Sequence, residues 1–597
     1  MKGFFNLKTS IAKPMKNKSQ KRKGCGTCGL FSQCHSPRMG VSGDGRQKIL
    51  IIGDNISRVG DKTGDPYNSE GMTYLSHILD KMGLNLKEDF WYINAVRCRA
   101  NNRKKLANAV PICRSRLLKS VEELQPEKII VMGGTALRTL IGHRCNSRIS
   151  VAKFDRWWGW EIPDQELKAM VYPILTPDEI LFPLRRKKER MMEYNTFKPR
   201  SCALWDHPQM RDDDNYRLRR KLFRDGFRKV FKGTSYRDRD ILSKCKYIDN
   251  VEDAIHILRR LRRSKAIAFD YETDGIKPHA KGHKIFCIGI SDGDTSYGIP
   301  MFDDRRFKRA LKRLLTDEKV AKYVHNMKYE ETWTRVILGY EVANWKFDTM
   351  LSSHILDSRT GITSLKFQSY VEFGILGYDH VVDDYIKSED DKNANAFNRL
   401  HLLDIKDTST YCAEDAHLTF ILAKRHMSRL DDHLWKGYKL FHDGTLALCD
   451  VECTGMRVDE KKLVENDLIL EKLLIELTAK IMSTEEVNTW RDNEKMEFNF
   501  NSPQHLSKLF YTYLEYPILK YTDEMKKTPS TDKEALSEFE GELAKLLLEY
   551  KRIYKIKNTY LAGFKRETVN GVIHPSFNLN TVSTYRSCIA EGTPILV

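Results

Sequence analysis

Two sets of residues in this 597-residue sequence have types and spacings that could do chemistry. The first set is acidic. In AIAFDYETDG, Asp270 and Glu272 stand two apart behind an apolar run, and on a strand such residues share a face. Two carboxylates there are costly unless a cation neutralises them. In YCAEDAHLTFILAKRHM, which reads as a helix, Tyr411 and Asp415 are four apart and share one side. Between these segments, VHNMKYEETW reads as a strand running into a helix that carries Asn326 and Glu330. Hard oxygen ligands drawn from several elements suit a pair of Mg²⁺ (or Mn²⁺) ions about 4 Å apart. Such a pair serves phosphodiester hydrolysis: one ion activates water, the other stabilises the leaving oxygen, and a nearby phenol can orient the water. The second set is sulfur. Cys25 and Cys28 form a CxxC, Cys98 and Cys113 follow, and Cys34 could replace one of the four. This pattern fits a zinc site or an iron–sulfur site.

The elements that must position these groups alternate. KILIIG (48–53), WYINAV (91–96) and KIIVMG (128–133) are β-rich runs separated by helical patterns, which predicts a mainly parallel sheet. A second alternation starts at AIAFDYET (266–273) and turns helical from about 347 to 430. From about 440 to 560 the pattern is mostly helical. Residues 1–24 read as a basic tail, and 186–245, crowded with charge, as a linker with some helix. At roughly 150 residues per domain the length predicts about four domains. The formal charge of +19 favours an anionic partner, with nucleic acid leading. No apolar run reaches the roughly 18 residues of a membrane-spanning helix. The N-terminus lacks a signal peptide's apolar stretch, so a cytoplasmic protein is expected. Thirteen cysteines without a secretory context argue for metal ligands over a disulfide scaffold.

FDYET, HNMKYEE and YCAED resemble the three motifs of the DEDD 3′–5′ exonucleases, in the subtype with tyrosine in the third motif. The resemblance implies an RNase H-like fold, metal ligands Asp270, Glu272 and Asp415, and Tyr411 as the residue that positions water. Glu330 stands where the family carries aspartate; its oxygens reach one methylene farther, and it is retained as a ligand. Asp348, in FDTMLSSHILD, reads as structural.

IIGDNISRVGDKTGDPY, WYINAVRCRANNR and ELQPEKIIVMGGTALRTLIG resemble family 4 uracil-DNA glycosylases. In that family four cysteines hold a four-iron–four-sulfur cluster, which implies Cys25, Cys28, Cys98 and Cys113 here. The same resemblance places Asp54 as the water-activating carboxylate, Tyr67 as the aromatic stacking on a flipped base, and Asn94 as the reader of its edge. Two positions depart from the pattern. Gly60 stands where a further acidic residue is usual, and Thr176 where a histidine stabilises the departing base. The expectation is therefore a DNA-binding or uracil-sensing module with slow or no excision.

ALCDVECTGMRVDEKKL, FNFNSPQHLSKLFYTYL, LLLEYKRIYKIKNTYL and GVIHPSFNLNTVSTYRS, in this order, resemble the thumb and palm entry of family A DNA polymerases. Lys551, Arg552, Lys555 and Lys557 are then expected phosphate contacts. The palm aspartates and the fingers lysine are not in the sequence, so a second chain is expected to supply palm and fingers. The closing CIAEGTPILV resembles the first block of an intein, with Cys588 as the nucleophile that attacks the Ser587 carbonyl.

The expected architecture is α/β and multidomain. A basic tail spans 1–24, a uracil-glycosylase-like α/β domain 25–185, and a charged linker 186–245. An RNase H-like exonuclease domain follows over 246–435, a helical polymerase thumb segment over 436–587, and an intein start over 588–597. The expected activity is Mg²⁺-dependent removal of nucleotides from DNA, at a primer 3′ end or a single strand, with no membrane partner. The alternatives are a uracil-DNA glycosylase with an accessory nuclease, and a non-catalytic DNA-binding subunit.

Overall fold

The computed structural model describes residues 25, 27–145, 149–193, 203, 205, 207, 213–388, 390, 392–523 and 528–589. The expected basic tail, and all of the expected intein block beyond Ile589, lie outside the described residues. The chain divides into two compact units, Met1–Ile241 with Ser364–His380, and Leu242–Thr363 with Val381–Val597.

The first unit is built on five strands: β1 (Ile49–Gly53), β2 (Phe90–Asn94), β3 (Lys128–Met132), β4 (Ile162–Asp164) and β5 (Ala169–Ile174). Their order is β2-β1-β3-β5-β4, parallel except for β4. Continuous apolar runs such as ILIIG and AMVYPI are buried throughout, as strands covered on both faces require. Helices α1 (Glu70–Asp80), α2 (Arg103–Leu124), α3 (Gly134–Leu140), α4 (Pro177–Glu193) and α5 (Asp214–Lys232) complete it. Asn102 caps α2, its side chain accepting from the Lys105 N–H, and α2 carries Cys113.

One expectation of domain organisation needs correction. The charged stretch 186–245 is not a linker in its later part. Asp213 caps α5, and Tyr216, Phe223, Phe227 and Val230 form a buried stripe within the apolar core of the first unit. Spacings of 7, 4 and 3 put them on one side of the helix. Within the expected exonuclease span 246–435, residues 364–380 group with the first unit. There the helix Leu365–Phe373 is buried along its whole length. Its Phe367 ring lies 4.9 Å from that of Trp157, and the Tyr370 hydroxyl donates to Asp164 Oδ2 at 2.7 Å. Arg144 balances the buried Asp164 carboxylate from the other side at 3.0 Å.

The second unit holds a six-stranded sheet of β6 (Cys245–Tyr247), β7 (Ala266–Thr273), β8 (Ile285–Ser291), β9 (Ser296–Pro300), β10 (Ala321–Val324) and β11 (Trp345–Asp348). The order is β11-β10-β7-β8-β9-β6, with β7, β8 and β9 antiparallel and the outer neighbours parallel. Helices α6 (Val251–Leu261) and α7 (Arg305–Leu315) share one apolar core with Phe269, Tyr271, Ile288 and Ile290. Helices α8 (Met327–Trp333), α9 (Thr349–Leu356) and α10 (Ile405–Met427) follow. Helix α11 (Asp432–Thr454) packs its Tyr438 with Phe347 and Leu351, and the helical remainder, including α12 (Glu460–Met482) and α13 (Glu542–Lys555), has a core of its own around Leu477, Ile481, Trp490, Leu543 and Leu547. Lys328 of α8 pairs with Glu452 of α11 at 2.6 Å, both side chains nearly buried. No described helix is long and apolar enough to cross a membrane.

Candidate active site and accessory pockets

The helix that carries Tyr411 and Asp415, α10, lies directly on the sheet that carries Asp270 and Glu272. Asp270 on β7 pairs in register with Gly289 on β8, which pairs with Gly298 on β9. Register partners point to one face. A Cβ on Gly289 would lie 2.1 Å from the Cys412 carbonyl oxygen, and one on Gly298 1.8 Å from that of Ser409. Two missing side chains thus let the α10 backbone touch the sheet. Ser296 Oγ donates to the Ala413 carbonyl at 2.6 Å, and Ser291 Oγ meets His417 Nδ1 at 3.1 Å, so the helix is anchored along its length.

Tyr411 and Asp415, one turn apart on this helix, are both buried. Cys412, between them in sequence, turns its thiol to the sheet and donates to the Asp270 carbonyl at 3.3 Å. One ligand atom each from Asp270, Glu272 and Cys412 lies within 4.8 Å of the others. The sequence reading gave Cys412 no role; its signal was adjacency to Tyr411 on a helix facing two glycines. Asp415 stands outside that cluster, three residues on from Cys412 and so on the same side of α10.

Glu330 arrives from α8. Asn326 opens this helix in the left-handed region, at φ 84°. Asp348 accepts the N–H of Asn326 at 3.1 Å and of Met327 at 2.8 Å, and also that of Met350, so one carboxylate pins the starts of α8 and α9. This is the structural part the sequence suggested for Asp348. Glu330 is 2% exposed, and its Oε2 has no hydrogen-bond partner. Burial above all, then the charge of Asp270, with Asp348 and Glu272 adding, holds its carboxyl well above the usual carboxylate range. An uncompensated buried carboxyl among carboxylates is what a bound cation would relieve.

In the first unit the expected glycosylase-like residues lie at the C-terminal ends of the parallel strands, where ligands gather in such sheets. Asp54 follows β1, Asn94 ends β2, Gly133 follows β3 and Thr176 follows β5. Asp54 Oδ1 accepts the Ala136 N–H at 2.7 Å. A Cβ on Gly133 would lie 2.6 Å from both Asp54 Oδ2 and Thr176 Cγ2, so these three adjoin. Asn94 Oδ1 accepts from the Tyr92 hydroxyl at 3.1 Å, and the Tyr92 ring lies 5.5 Å from Tyr67. These strand ends therefore bring Asp54 beside Thr176, and Asn94 beside Tyr67 through Tyr92. Thr176 is committed elsewhere: its hydroxyl donates to Glu179 Oε2 at 3.1 Å, and its own oxygen accepts the Glu179 N–H at 3.1 Å. This reciprocal cap at the start of α4 leaves little for a departing base.

Asp54 is pushed up to about 6, first by burial and further by Glu179, against the N–H groups of Ala136 and Thr135. The ordinary value is 3.8, so the folded chain holds this proton more tightly than the unfolded one. Stability is then lost as pH rises from about 4 to about 6, and the penalty is constant above. Asp54→Asn is expected to raise the melting midpoint of this unit at pH 7, by an amount equivalent to about 1–3 kcal/mol, and to change it little at pH 4. Thermal melts at the two pH values check this.

Cys28, Cys34, Cys98 and Cys113 gather with Leu30, Val96, Ala109 and Val110 in one small apolar cluster. Cys25 is close enough to raise the Cys113 thiol electrostatically, after burial, which raises it most. The Arg38 N–H donates to Cys98 Sγ at 3.3 Å. Five thiols thus converge, the four expected ones and Cys34. In the second unit, Lys551, Arg552 and Lys555 line a cavity of about 680 Å³. Lys557 instead pairs with Asp467 at 3.3 Å and Glu471 at 2.7 Å. Cys588 lies in a two-residue strand against Phe577–Asn578, its thiol 2.6 Å from the Thr581 hydroxyl.

A family model for 3′–5′ exonuclease matches residues 245–431, one for DNA polymerase family A matches 468–591, and one for the uracil DNA glycosylase superfamily matches 40–197. Through its first domain the chain belongs to the uracil-DNA glycosylase superfamily, and its later parts are similar to the exonuclease and polymerase domains of family A DNA polymerases. DNA polymerase I of Pseudomonas aeruginosa is 27% identical over 351 residues, covering 55% of this chain and 36% of the relative. The DNA polymerase of Escherichia phage T5 is 28% identical over 315 residues, covering 49% of this chain and 36% of the relative. The type-4 uracil-DNA glycosylase of Thermotoga maritima is 30% identical over 139 residues, covering 23% of this chain and 68% of the relative. The chain thus spans 36% of the length of each of these two polymerases. The exonuclease match encloses all of Asp270, Glu272, Glu330, Tyr411 and Asp415. The glycosylase match encloses Asp54, Tyr67, Asn94, Cys98 and Cys113.

Proposed function

We propose that this chain removes nucleotides from DNA 3′ ends by metal-dependent hydrolysis, as the proofreading nuclease of a family A polymerase in DNA replication. The observation that carries this reading is the buried, partnerless Glu330 oxygen in the field of Asp270 and Glu272. Asp270, Glu272, Glu330 and Asp415 hold two Mg²⁺ (or Mn²⁺), a donor set of hard oxygens that fits those ions. Such ions supply an activated water and stabilise the leaving oxygen. The chain's own part is placement. Asp348 fixes the helix that carries Glu330, the two glycines set α10 against β8 and β9, and Tyr411 orients the water. Lys551, Arg552 and Lys555 contact the phosphate backbone, an attraction that weakens with salt. The enzyme works in the cytoplasm of a bacterial or phage-infected cell. DNA labelled at its 3′ end should lose label with Mg²⁺ but not with EDTA, while a 5′ label stays on progressively shorter strands. Release of the 5′ label first would contradict this polarity.

The first domain is proposed to carry a four-iron–four-sulfur cluster on Cys25, Cys28, Cys98 and Cys113. Four thiols within an apolar shell, one already taking a backbone N–H, suit such a cluster. Chain purified without air is expected to be brown with about four irons, and Cys113→Ser to lose most of that iron. One zinc per colourless chain would contradict it. Because Thr176 and Glu179 cap each other, this domain is proposed to bind uracil-bearing DNA and to excise slowly. Rapid uracil release that Asp54→Asn abolishes would favour a working glycosylase. Cys588 is proposed as a split-intein nucleophile, tested by whether Cys588→Ala prevents ligation when the complementary half is co-expressed.

A further inference from the structure

We propose that Asp270, Glu272 and Cys412 form a mixed oxygen–sulfur site that takes a thiophilic divalent cation, of the zinc and cadmium class, in place of a hard one. This rests on the reading of Asp270 and Glu272 as the metal-holding face of the nuclease. Their ligand atoms and the Cys412 sulfur lie within 4.8 Å of one another, and Sγ is 3.8 Å from Asp270 Oδ2. Bonds of about 2.0–2.3 Å from one ion span such a triangle after small side-chain rotations.

The sulfur cannot retreat. The turn of α10 that carries Cys412 is held to the sheet by Ser296 and by contact with Gly289. Oxygen ligands alone favour Mg²⁺ and Mn²⁺, whereas a thiolate selects softer ions. On binding, the S–H bond breaks, its proton passes to solvent and a sulfur–metal bond forms, with no change of oxidation state. The site therefore gives the nuclease a second, inhibitory metal preference that carboxylates alone would not provide.

The test uses the full chain and Cd²⁺ alone, followed by ultraviolet thiolate-to-cadmium absorption. Every protein compared carries Cys287→Ser, because Cys287 meets the Cys412 thiol, and the more distant thiols contribute equally, so the difference isolates Cys412. The expected result is an absorption increment present in wild type and missing in Cys412→Ser. In Glu272→Gln, which keeps the thiol, that increment should need at least tenfold more Cd²⁺. In a second arm Cd²⁺ is added to Mg²⁺-supported hydrolysis, each protein referred to its own rate. The half-inhibiting Cd²⁺ concentration should rise at least tenfold in Cys412→Ser. Identical absorption, or identical inhibition, in wild type and Cys412→Ser would overturn the proposal. If Cys412→Ser does not fold, an unchanged Cd²⁺ requirement in Glu272→Gln overturns it as well. Failure of the nuclease reading looks different: wild type shows no Mg²⁺-dependent hydrolysis, and the absorption difference still decides the site.

Discussion

Asp270→Ala is expected to lower hydrolysis of a 3′-labelled strand by roughly 10³-fold, equivalent to about 4 kcal/mol of transition-state stabilisation. The reason is charge. Asp270 is the first electrostatic neighbour of the buried Glu330, and its β7 position faces the helix that carries Tyr411 and Asp415. Without it the remaining carboxylates lack a ligand between them, and the ions that activate water are held poorly. DNA binding should stay close to wild type, because Lys551, Arg552 and Lys555 lie on a different element. Tyr411→Phe removes one orienting hydroxyl and no ligand, so about a tenfold loss is expected. Single-turnover rates with equal DNA occupancy separate the two variants. A near wild-type rate in Asp270→Ala would remove the site from this face.

Gly289→Ala should be almost as damaging, although it touches no reacting atom. The new methyl would sit 2.1 Å from the Cys412 carbonyl oxygen, and a backbone atom cannot rotate away. Either α10 lifts or the sheet bends. Tyr411 and Asp415 travel with the helix, and a misplacement of about 1 Å costs about 10²-fold in rate. Overpacking of this kind also costs about 1–3 kcal/mol of stability. Gly298→Ala should behave alike, with the Ser409 oxygen at 1.8 Å. Gly437→Ala is the control: its Cβ meets nothing nearer than 3.9 Å, so rate and stability should hold. Thermal melts beside initial rates check both effects. A Gly289→Ala enzyme at full rate would mean that α10 is not seated as described.

The local patterns were legible and the contacts across long separations were not. Strand spacing put Asp270 and Glu272 on one face, helical spacing put Tyr411 and Asp415 on one side, and the family motifs bound the two together. Gly289 and Gly298 gave no such signal, since an isolated strand glycine does not say which helix approaches it. Cys412 was missed for that reason: its partner lies 142 residues away. The stripe Tyr216, Phe223, Phe227 and Val230 was present in the sequence, but surrounding arginines and lysines lowered the mean hydropathy and the stretch read as a linker. The segment 364–380 could not be assigned to the first unit from periodicity, because an apolar helix does not carry the address of the core that buries it. Thr176 and Glu179 are spaced as a helix cap, so their mutual hydrogen bonds were open to sequence reasoning that instead treated Thr176 only as a missing histidine.

The most direct test of the central claim is to count Mn²⁺ on the chain by electron paramagnetic resonance, in wild type, Asp270→Ala and Glu330→Gln. Two Mn²⁺ bound in wild type, with at least one lost in Asp270→Ala and weakened binding in Glu330→Gln, is the predicted result. Equal Mn²⁺ binding in all three proteins would contradict the assignment of these carboxylates as the metal-holding groups of the exonuclease.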